Sequence, residues 1–285
     1  MRILITGADG MLGRDVCKFF KEEHSIIGFD IRLNPQDNIT HKEYLWTFLK
    51  EKKIEYILHL AAKTDVDDCE RFPDDAFLNN TIGTKNLALY CFENDIPMVY
   101  ISTGSVFDGL KPEPYIEYDV PNPQSFYAKS KYQGEQIVSH FVKKSFIFRA
   151  GWMFGGAKED KKFVFKIIEL AKKNNEIKAV IDKIGTPTYT KDFAKGIFQM
   201  IKTRDYGLYH MGNLGFCSRY ELACKIMEYA QLPVKVISVS SALFPLAAPR
   251  PRMEAIRNYN FEIMNKLKMR PWEISLKEYI HELME

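Results

Sequence analysis

The sequence predicts an α/β protein built on a doubly wound parallel sheet, and three observations predict it. Short β-rich runs alternate with longer segments of helical period across residues 2–149. A glycine-spaced turn, Gly7-Ala8-Asp9-Gly10-Met11-Leu12-Gly13, joins the first run to the first helical segment. The run Tyr56-Ile-Leu-His-Leu60 is almost wholly apolar, as a strand covered on both faces must be. Alternation of this kind implies right-handed crossovers, which place helices on both sides of the sheet.

In order, strands are expected at Arg2–Thr6, Ser25–Phe29, Glu55–Leu60, Met98–Ser102 and Ser145–Arg149. Helices are expected between them at Met11–Glu23, His41–Glu51, Asp75–Phe92 and Ser125–Val142. After residue 150 the alternation breaks into a Gly-Trp-Met-Phe-Gly-Gly loop, a helix near 162–173, a turn at Pro187, a helix near 190–202 and the run Gly207-Leu-Tyr-His-Met211. The three prolines of Leu243–Arg252 predict an irregular extended loop, and Ile274–Met284 reads as a short amphipathic C-terminal helix.

Composition narrows the function. A chain of 285 residues with 46% hydrophobic content buries a substantial core. The net charge of +3 is spread without a basic stripe interleaved with aromatics, so nucleic acid is not an expected partner. The N-terminal apolar run is too short for a signal peptide and no later run approaches membrane-spanning length, so neither a membrane nor export is expected, and the expected location is cytoplasmic. Five cysteines without a C-x-x-C pair suggest reduced thiols, and six scattered histidines suggest no metal site. No Gly-x-Ser-x-Gly frames an esterase nucleophile.

Three segments carry chemistry together. Gly7 supplies a tight turn, Gly10 lets a phosphate approach the backbone, and Gly13 lets the helix pack closely on the sheet. The free amides of the following turn, at Met11 and Leu12, would meet a pyrophosphate. This is a Rossmann-type dinucleotide fingerprint. Asp30 ends the second strand, where a carboxylate accepts from adenosine ribose hydroxyls and favours NADH; Arg32, two residues on, could pair with a 2′-phosphate, so NADPH stays open. Tyr127 and Lys131 are one helical turn apart and face one way. A nearby ammonium lowers a tyrosine from ~10 by roughly 1–3 units, which would make Tyr127 a proton donor near neutral pH. Thr103, at the carboxyl end of the fourth strand, would hydrogen-bond the same carbonyl oxygen.

The dinucleotide-binding portion is thus expected over residues 1–150 with a return segment at about 187–212, and a smaller interleaved α/β substrate lobe over 151–186 and 213–285.

These residues resemble the dTDP-4-dehydrorhamnose reductase family of the extended short-chain dehydrogenase/reductase superfamily. The likeness covers nearly the whole chain. Gly7–Gly13 resembles its Gly-x-x-Gly-Gln-Leu-Gly; Ala61-Ala-Lys-Thr-Asp-Val-Asp67 its Ala-Ala-Tyr-Thr-x-Val-Asp; Asn80 with Asn86-Leu-Ala its Asn-x5-Asn-Leu-Ala. Tyr127-Ala-Lys-Ser-Lys-Tyr-Gln-Gly-Glu135 is similar to its Tyr-Gly-x-Thr-Lys-x-x-Gly-Glu, Arg149-Ala-Gly-Trp-Met-Phe-Gly155 to its Arg-Thr-Ser-Trp-Val-Tyr-Gly, and Gly185-Thr-Pro-Thr188 to its Gly-x-Pro-Thr. The resemblance implies reduction of the C4 ketone of a nucleotide-linked 4-keto-6-deoxy sugar by NADH or NADPH, with Thr103, Tyr127 and Lys131 as the catalytic set. It further implies a cofactor site at Gly7, Gly10, Met11, Leu12, Asp30, Asn38, Ile39, Ala61, Ala62 and Thr64, a sugar pocket at Val66, Thr103, Gly104 and Trp152, and a homodimer as a possible assembly.

Two departures stand out. The family's Ser-Thr-Asp-Tyr-Val-Phe becomes Ser102-Thr-Gly-Ser-Val-Phe107, and its Arg-Pro-x-x-Ser-x-Leu becomes Arg250-Pro-Arg-Met-Glu-Ala-Ile256. The carboxylates of the magnesium site of some family dimers find no match here. Rival readings are a nucleotide-sugar epimerase, which would retain its NAD, and a non-catalytic dinucleotide-binding regulatory subunit. A dehydratase is disfavoured because Gly104-Ser105 offers no Asp-Glu pair.

Overall fold

A computed structural model describes residues 1–156 and 162–285. The expected substrate lobe includes residues 157–161, which lie outside the described residues. The first half alternates as expected: β1 (Arg2–Thr6), α1 (Met11–Phe20), β2 (Ser25–Phe29), α2 (Lys42–Lys52), β3 (Tyr56–His59), α3 (Val66–Arg71), α4 (Pro73–Phe77), α5 (Thr84–Asn94), β4 (Met98–Thr103), α6 (Phe126–Phe141) and β5 (Ser145–Ala150). The second half supplies β6 (Trp152–Phe154), α7 (Phe163–Ala171), β7 (Glu176–Val180), β8 (Ile184–Gly185), β9 (Pro187–Tyr189), α8 (Thr190–Met200) and β10 (Gly207–Met211). After these come β11 (Cys217–Ser218), α9 (Arg219–Ala230), β12 (Lys235–Val239), α10 (Tyr259–Met264) and α11 (Trp272–Met284).

Six strands form one sheet in the order β10-β5-β4-β3-β1-β2, every pair parallel. Because β1 lies between β2 and β3, the strand order reverses there, and a crevice opens at the carboxyl ends of β1 and β3, where doubly wound sheets bind ligands. All four residues of β3 are buried, as its apolar run requires. One apolar core, including Val16, Phe20, Phe193 and Ile197, joins α1 and α8 to one face of the sheet; another, including Leu45, Leu87 and Val138, fills the opposite face. A separate core of Phe154, Ile168, Ala179, Tyr189, Ile226 and Tyr279 unites α7, α9 and α11 with β7.

The structure departs from expectation in several places, among them a strand, β6, inside the expected loop at 151–156. The helix expected over Asp75–Phe92 is split by a π-helical turn, Leu78–Gly83, between α4 and α5. Pro187 opens β9 rather than a turn: the first residue of a short strand is a place where a missing N–H is tolerated. The helix α9 and the parallel pair β7–β12 were not foreseen. Among the described residues, no helix is long and apolar enough to cross a membrane, and all five cysteines are free thiols.

Candidate active site

The crevice is built from the turn after β1. Gly7 has a left-handed φ of +69°, and a Cβ there would stand 2.7 Å from the Ala61 amide nitrogen, so only glycine lets β1 and β3 end side by side. A Cβ on Gly13 would fall 2.1 Å from the Gly7 carbonyl oxygen. Gly10 caps α1 in an extended conformation without a side-chain hydrogen bond, so the first-turn amides at Met11 and Leu12 point out of the helix with no internal acceptor. Backbone N–H groups without an internal acceptor at a helix N-terminus suit a pyrophosphate.

Around this cradle, Asp30 is buried and turned inward: Oδ2 accepts from the Asp9 amide at 3.0 Å and Oδ1 from the Arg32 amide at 2.9 Å. Arg32 stays exposed at the rim, with Nη1 donating to the Asp9 carbonyl at 3.2 Å. Asn38 spends its Oδ1 on Thr40, while Ile39 is buried against Gly83 and its carbonyl accepts from Asn86 Nδ2 at 3.0 Å. The loop carrying Ala61, Ala62 and Thr64 is stapled by Asn80, which accepts from the Lys63 amide at 2.8 Å and donates to the Lys63 carbonyl and to Ser130 Oγ. Thr64 is exposed, and Val66 begins α3, half-buried. The π-helical turn therefore has a purpose in the fold: it aims Asn80 at this loop and at α6 together.

The structure brings Thr103, Tyr127 and Lys131 to one end of the crevice. Ser125 caps α6 through Oγ, accepting from the Ala128 amide at 3.2 Å, and this fixes Tyr127 in the first turn. The Thr103 side chain lies beside Tyr127, and its Oγ accepts from the Ser105 amide at 3.1 Å. Lys131 is buried, its ammonium 4.3 Å from the centre of the Tyr100 ring, and the Tyr100 hydroxyl donates to the Lys131 carbonyl at 2.9 Å. Burial pushes Lys131 down to about 7 against the opposing pull of Glu135. Tyr127 is a correction to the sequence reading. Burial pushes its phenol up to about 12, only the neighbouring Thr103 acts the other way, and the lowering expected from Lys131 is not seen. Beneath them, Arg149 donates twice to Glu135, at 2.6 and 3.0 Å, and Ser102 Oγ donates to the same carboxylate at 2.7 Å.

Facing this set, the wall is made by Trp152 and Gly104 together with Ser105, Glu254 and Arg219. Glu254 Oε1 accepts from Ser105 Oγ at 2.7 Å and Oε2 from Trp152 Nε1 at 2.9 Å. The Arg219 guanidinium lies 3.5 Å from the Trp152 ring centre. Ser105 and Glu254 were noticed only as departures from a pattern, and nothing local marks Arg219, since its place depends on α9. Among the described residues, no group of three or more His, Cys, Asp or Glu side chains is arranged to hold a metal.

This geometry agrees with what the chain is similar to. The family described as the RmlD substrate binding domain matches residues 1–285. The chain belongs to the dTDP-4-dehydrorhamnose reductase family. It is 33% identical to the spore coat polysaccharide biosynthesis protein SpsK of Bacillus subtilis over 99% of this chain and 97% of that protein. A crystal structure of a dTDP-4-dehydrorhamnose reductase from Clostridium acetobutylicum is 39% identical, with a TM-score of 0.95 and 100% of both chains covered. That of the Bacillus anthracis enzyme, in complex with NADP, is 38% identical, with a TM-score of 0.93 and 99% of both chains covered. A UDP-glucose 4-epimerase from Thermus thermophilus, 19% identical at a TM-score of 0.83 over 99% of both chains, shares the fold alone.

Proposed function

We propose that this chain is an NADPH-dependent reductase that converts dTDP-4-dehydrorhamnose to dTDP-L-rhamnose by reducing the C4 ketone. The observation that carries the reading is the placing of Thr103, at the carboxyl end of β4, beside Tyr127 in the first turn of α6, with buried Lys131 one turn further along. It stands in a chain 38–39% identical to reductases of that name.

Gly7, Gly10 and the amides of Met11 and Leu12 would hold the pyrophosphate, Arg32 a 2′-phosphate, Ala61, Ala62 and Thr64 the passage toward the nicotinamide, and Lys131 its ribose. The nicotinamide, when bound, supplies the hydride to C4. Thr103 and Tyr127 would both donate to the ketone oxygen, and the Tyr127 proton passes to it. A phenol pushed up to about 12 keeps that proton at neutral pH and releases it only to a strong base, which the developing alkoxide is. Lys131, one turn along α6 and lowered to about 7, would return a proton to Tyr127 near neutrality. Val66, Gly104 and Trp152 would line the sugar pocket.

The test is oxidation of NADPH and NADH by the purified protein with dTDP-4-dehydrorhamnose, with the product identified by NMR. Turnover to dTDP-L-rhamnose, faster with NADPH, is expected. Tyr127→Phe should lower kcat by about 10²–10⁴-fold while NADPH still binds. An epimerase would instead retain NAD and consume no added cofactor, and a regulatory subunit would bind NADPH without turnover in parent and variant alike.

A further inference from the structure

Glu254 is 9% exposed, yet both its oxygens are engaged by neutral donors that belong to different parts of the fold. Ser105 sits in the turn after β4, Trp152 opens β6, and 149 residues separate Ser105 from Glu254. Glu254 is itself held by its amide, which donates to the Ile184 carbonyl at 2.8 Å, beside the bridge between Ile184 and Met253. Its charge also acts on Arg219, whose guanidinium lies over Trp152. A Cβ on Gly185 would stand 2.2 Å from the indole, so the ring lies flat on backbone as well. The carboxylate is thus one contact from Trp152 and, through Ser105, one residue from Thr103, whose Oγ accepts from the Ser105 amide.

Each of the two departures from the family's pattern includes one of these residues: Ser105 stands where the pattern has tyrosine and Glu254 where it has serine, and here their side chains meet at 2.7 Å. A hydrogen bond to a charged acceptor is roughly twice as strong as a neutral one.

We propose that Glu254 is a positioning residue for the sugar pocket, clamping Trp152 and Ser105 so that the wall facing Thr103 is fixed before the sugar enters. This rests on the reductase reading for the identity of the sugar. The clamp acts on the sugar side, because its hydrogen bonds join Ser105, Trp152 and Glu254 and none of them reaches the α1 cradle. Glu254→Gln keeps the shape, removes the charge and turns one acceptor into a donor. It should raise the KM for dTDP-4-dehydrorhamnose by about tenfold, with the KM for NADPH unchanged and kcat within about twofold. Ser105→Ala, which removes one donor of the clamp and no ring that faces the sugar, should raise the same KM, and Ser105→Ala/Glu254→Gln should be no worse than Glu254→Gln alone. A parent-like Glu254→Gln, a loss confined to kcat, or additive losses in the double variant would overturn the clamp. Should Glu254→Gln not fold, Ser105→Ala carries the same comparison. Absence of turnover in the parent would refute the reductase reading separately. The clamp is then tested by dTDP-L-rhamnose binding followed by indole fluorescence, where about tenfold weaker binding by Glu254→Gln supports it and equal binding refutes it.

Discussion

The proposed cofactor cradle and the proposed sugar wall are built by opposite strategies. In the cradle, Gly7, Gly10 and Gly13 fall within seven consecutive residues, and the partners that need them glycine are backbone atoms of the same turn or of β3 next to it. In the wall, Ser105, Trp152, Arg219 and Glu254 come from four distant segments and meet through side chains. The pyrophosphate is common to NAD and NADP, so its site can be fixed by local backbone geometry. A sugar differs between relatives, and a wall of side chains can change without disturbing the sheet. Substitutions in the cradle should therefore cost cofactor affinity, and those in the wall should cost sugar affinity.

The sharpest challenge to that division lies beneath both sites. The Arg149–Glu135 pair is bidentate, with both side chains only 3% exposed, and joins β5 to α6. Removing one partner strands a buried charge, so Arg149→Met should lower unfolding free energy by ~3–5 kcal/mol in denaturant titration. Glu135→Gln/Arg149→Met, which strands no charge, should recover much of that loss. A loss below ~1 kcal/mol in the single variant would mean that the pair is hydrated and the two sites do not share a rigid base.

Lys131 offers the next largest effect, with a pH signature. The unfolded chain holds the lysine proton up to about 10.5, whereas the native chain releases it at about 7. The native state is therefore penalised most below pH 7, and the penalty vanishes as pH rises to 10.5. Lys131→Met should raise stability by ~2–4 kcal/mol at pH 6 and converge on the parent in alkali, while activity collapses. A pH-independent difference would show that Lys131 is not desolvated.

Two glycines compare the halves directly. Gly13→Ala drives a Cβ into the Gly7 carbonyl at 2.1 Å, and backbone cannot step aside, so stability should fall by ~1–3 kcal/mol and NADPH affinity with it. Gly185→Ala drives one into the Trp152 ring at 2.2 Å, displacing a side chain of the wall. Its expected readout is a higher KM for the sugar with NADPH affinity intact. Loss of both affinities in either variant would break the proposed division.

The same contrast explains what the sequence made legible. The β1–turn–α1 unit, the alternation to residue 150 and the closeness of Tyr127 and Lys131 depend on neighbours in the chain, and local patterning reveals them. The π-helical turn was hidden because it is imposed by Asn80 reaching Lys63 and Ser130, not by any breaker within Asp75–Phe92. The Tyr127 pKa was misjudged because spacing gives the distance to a lysine but not the burial of both. The β7–β12 pair joins segments nearly sixty residues apart and carries no mutual signal in either run. Glu254 could be marked as unusual, but its meeting with Ser105 exists only in three dimensions.

One missed element was legible after all. The segment Ser218-Arg-Tyr-Glu221 spells a capping box just before the apolar positions of α9, and the structure forms both halves of it. Ser218 Oγ accepts from the Glu221 amide at 3.1 Å, and Glu221 Oε2 accepts from the Ser218 amide at 2.7 Å. This cap sets the direction in which α9 starts, and Arg219, its first residue, is the one that lies over Trp152. Ser218→Ala should cost ~1 kcal/mol in stability. It should also raise the sugar KM slightly, about twofold, by letting the first turn of α9 fray, whereas NADPH affinity stays at the parent value. An exposed cap elsewhere, such as Ser240, which bonds the Ala242 amide at 3.3 Å far from Trp152, serves as the control. If Ser218→Ala and Ser240→Ala leave the sugar KM equally untouched, Arg219 holds its place without help from the helix it begins, and the wall is stiffer than its scattered origins imply.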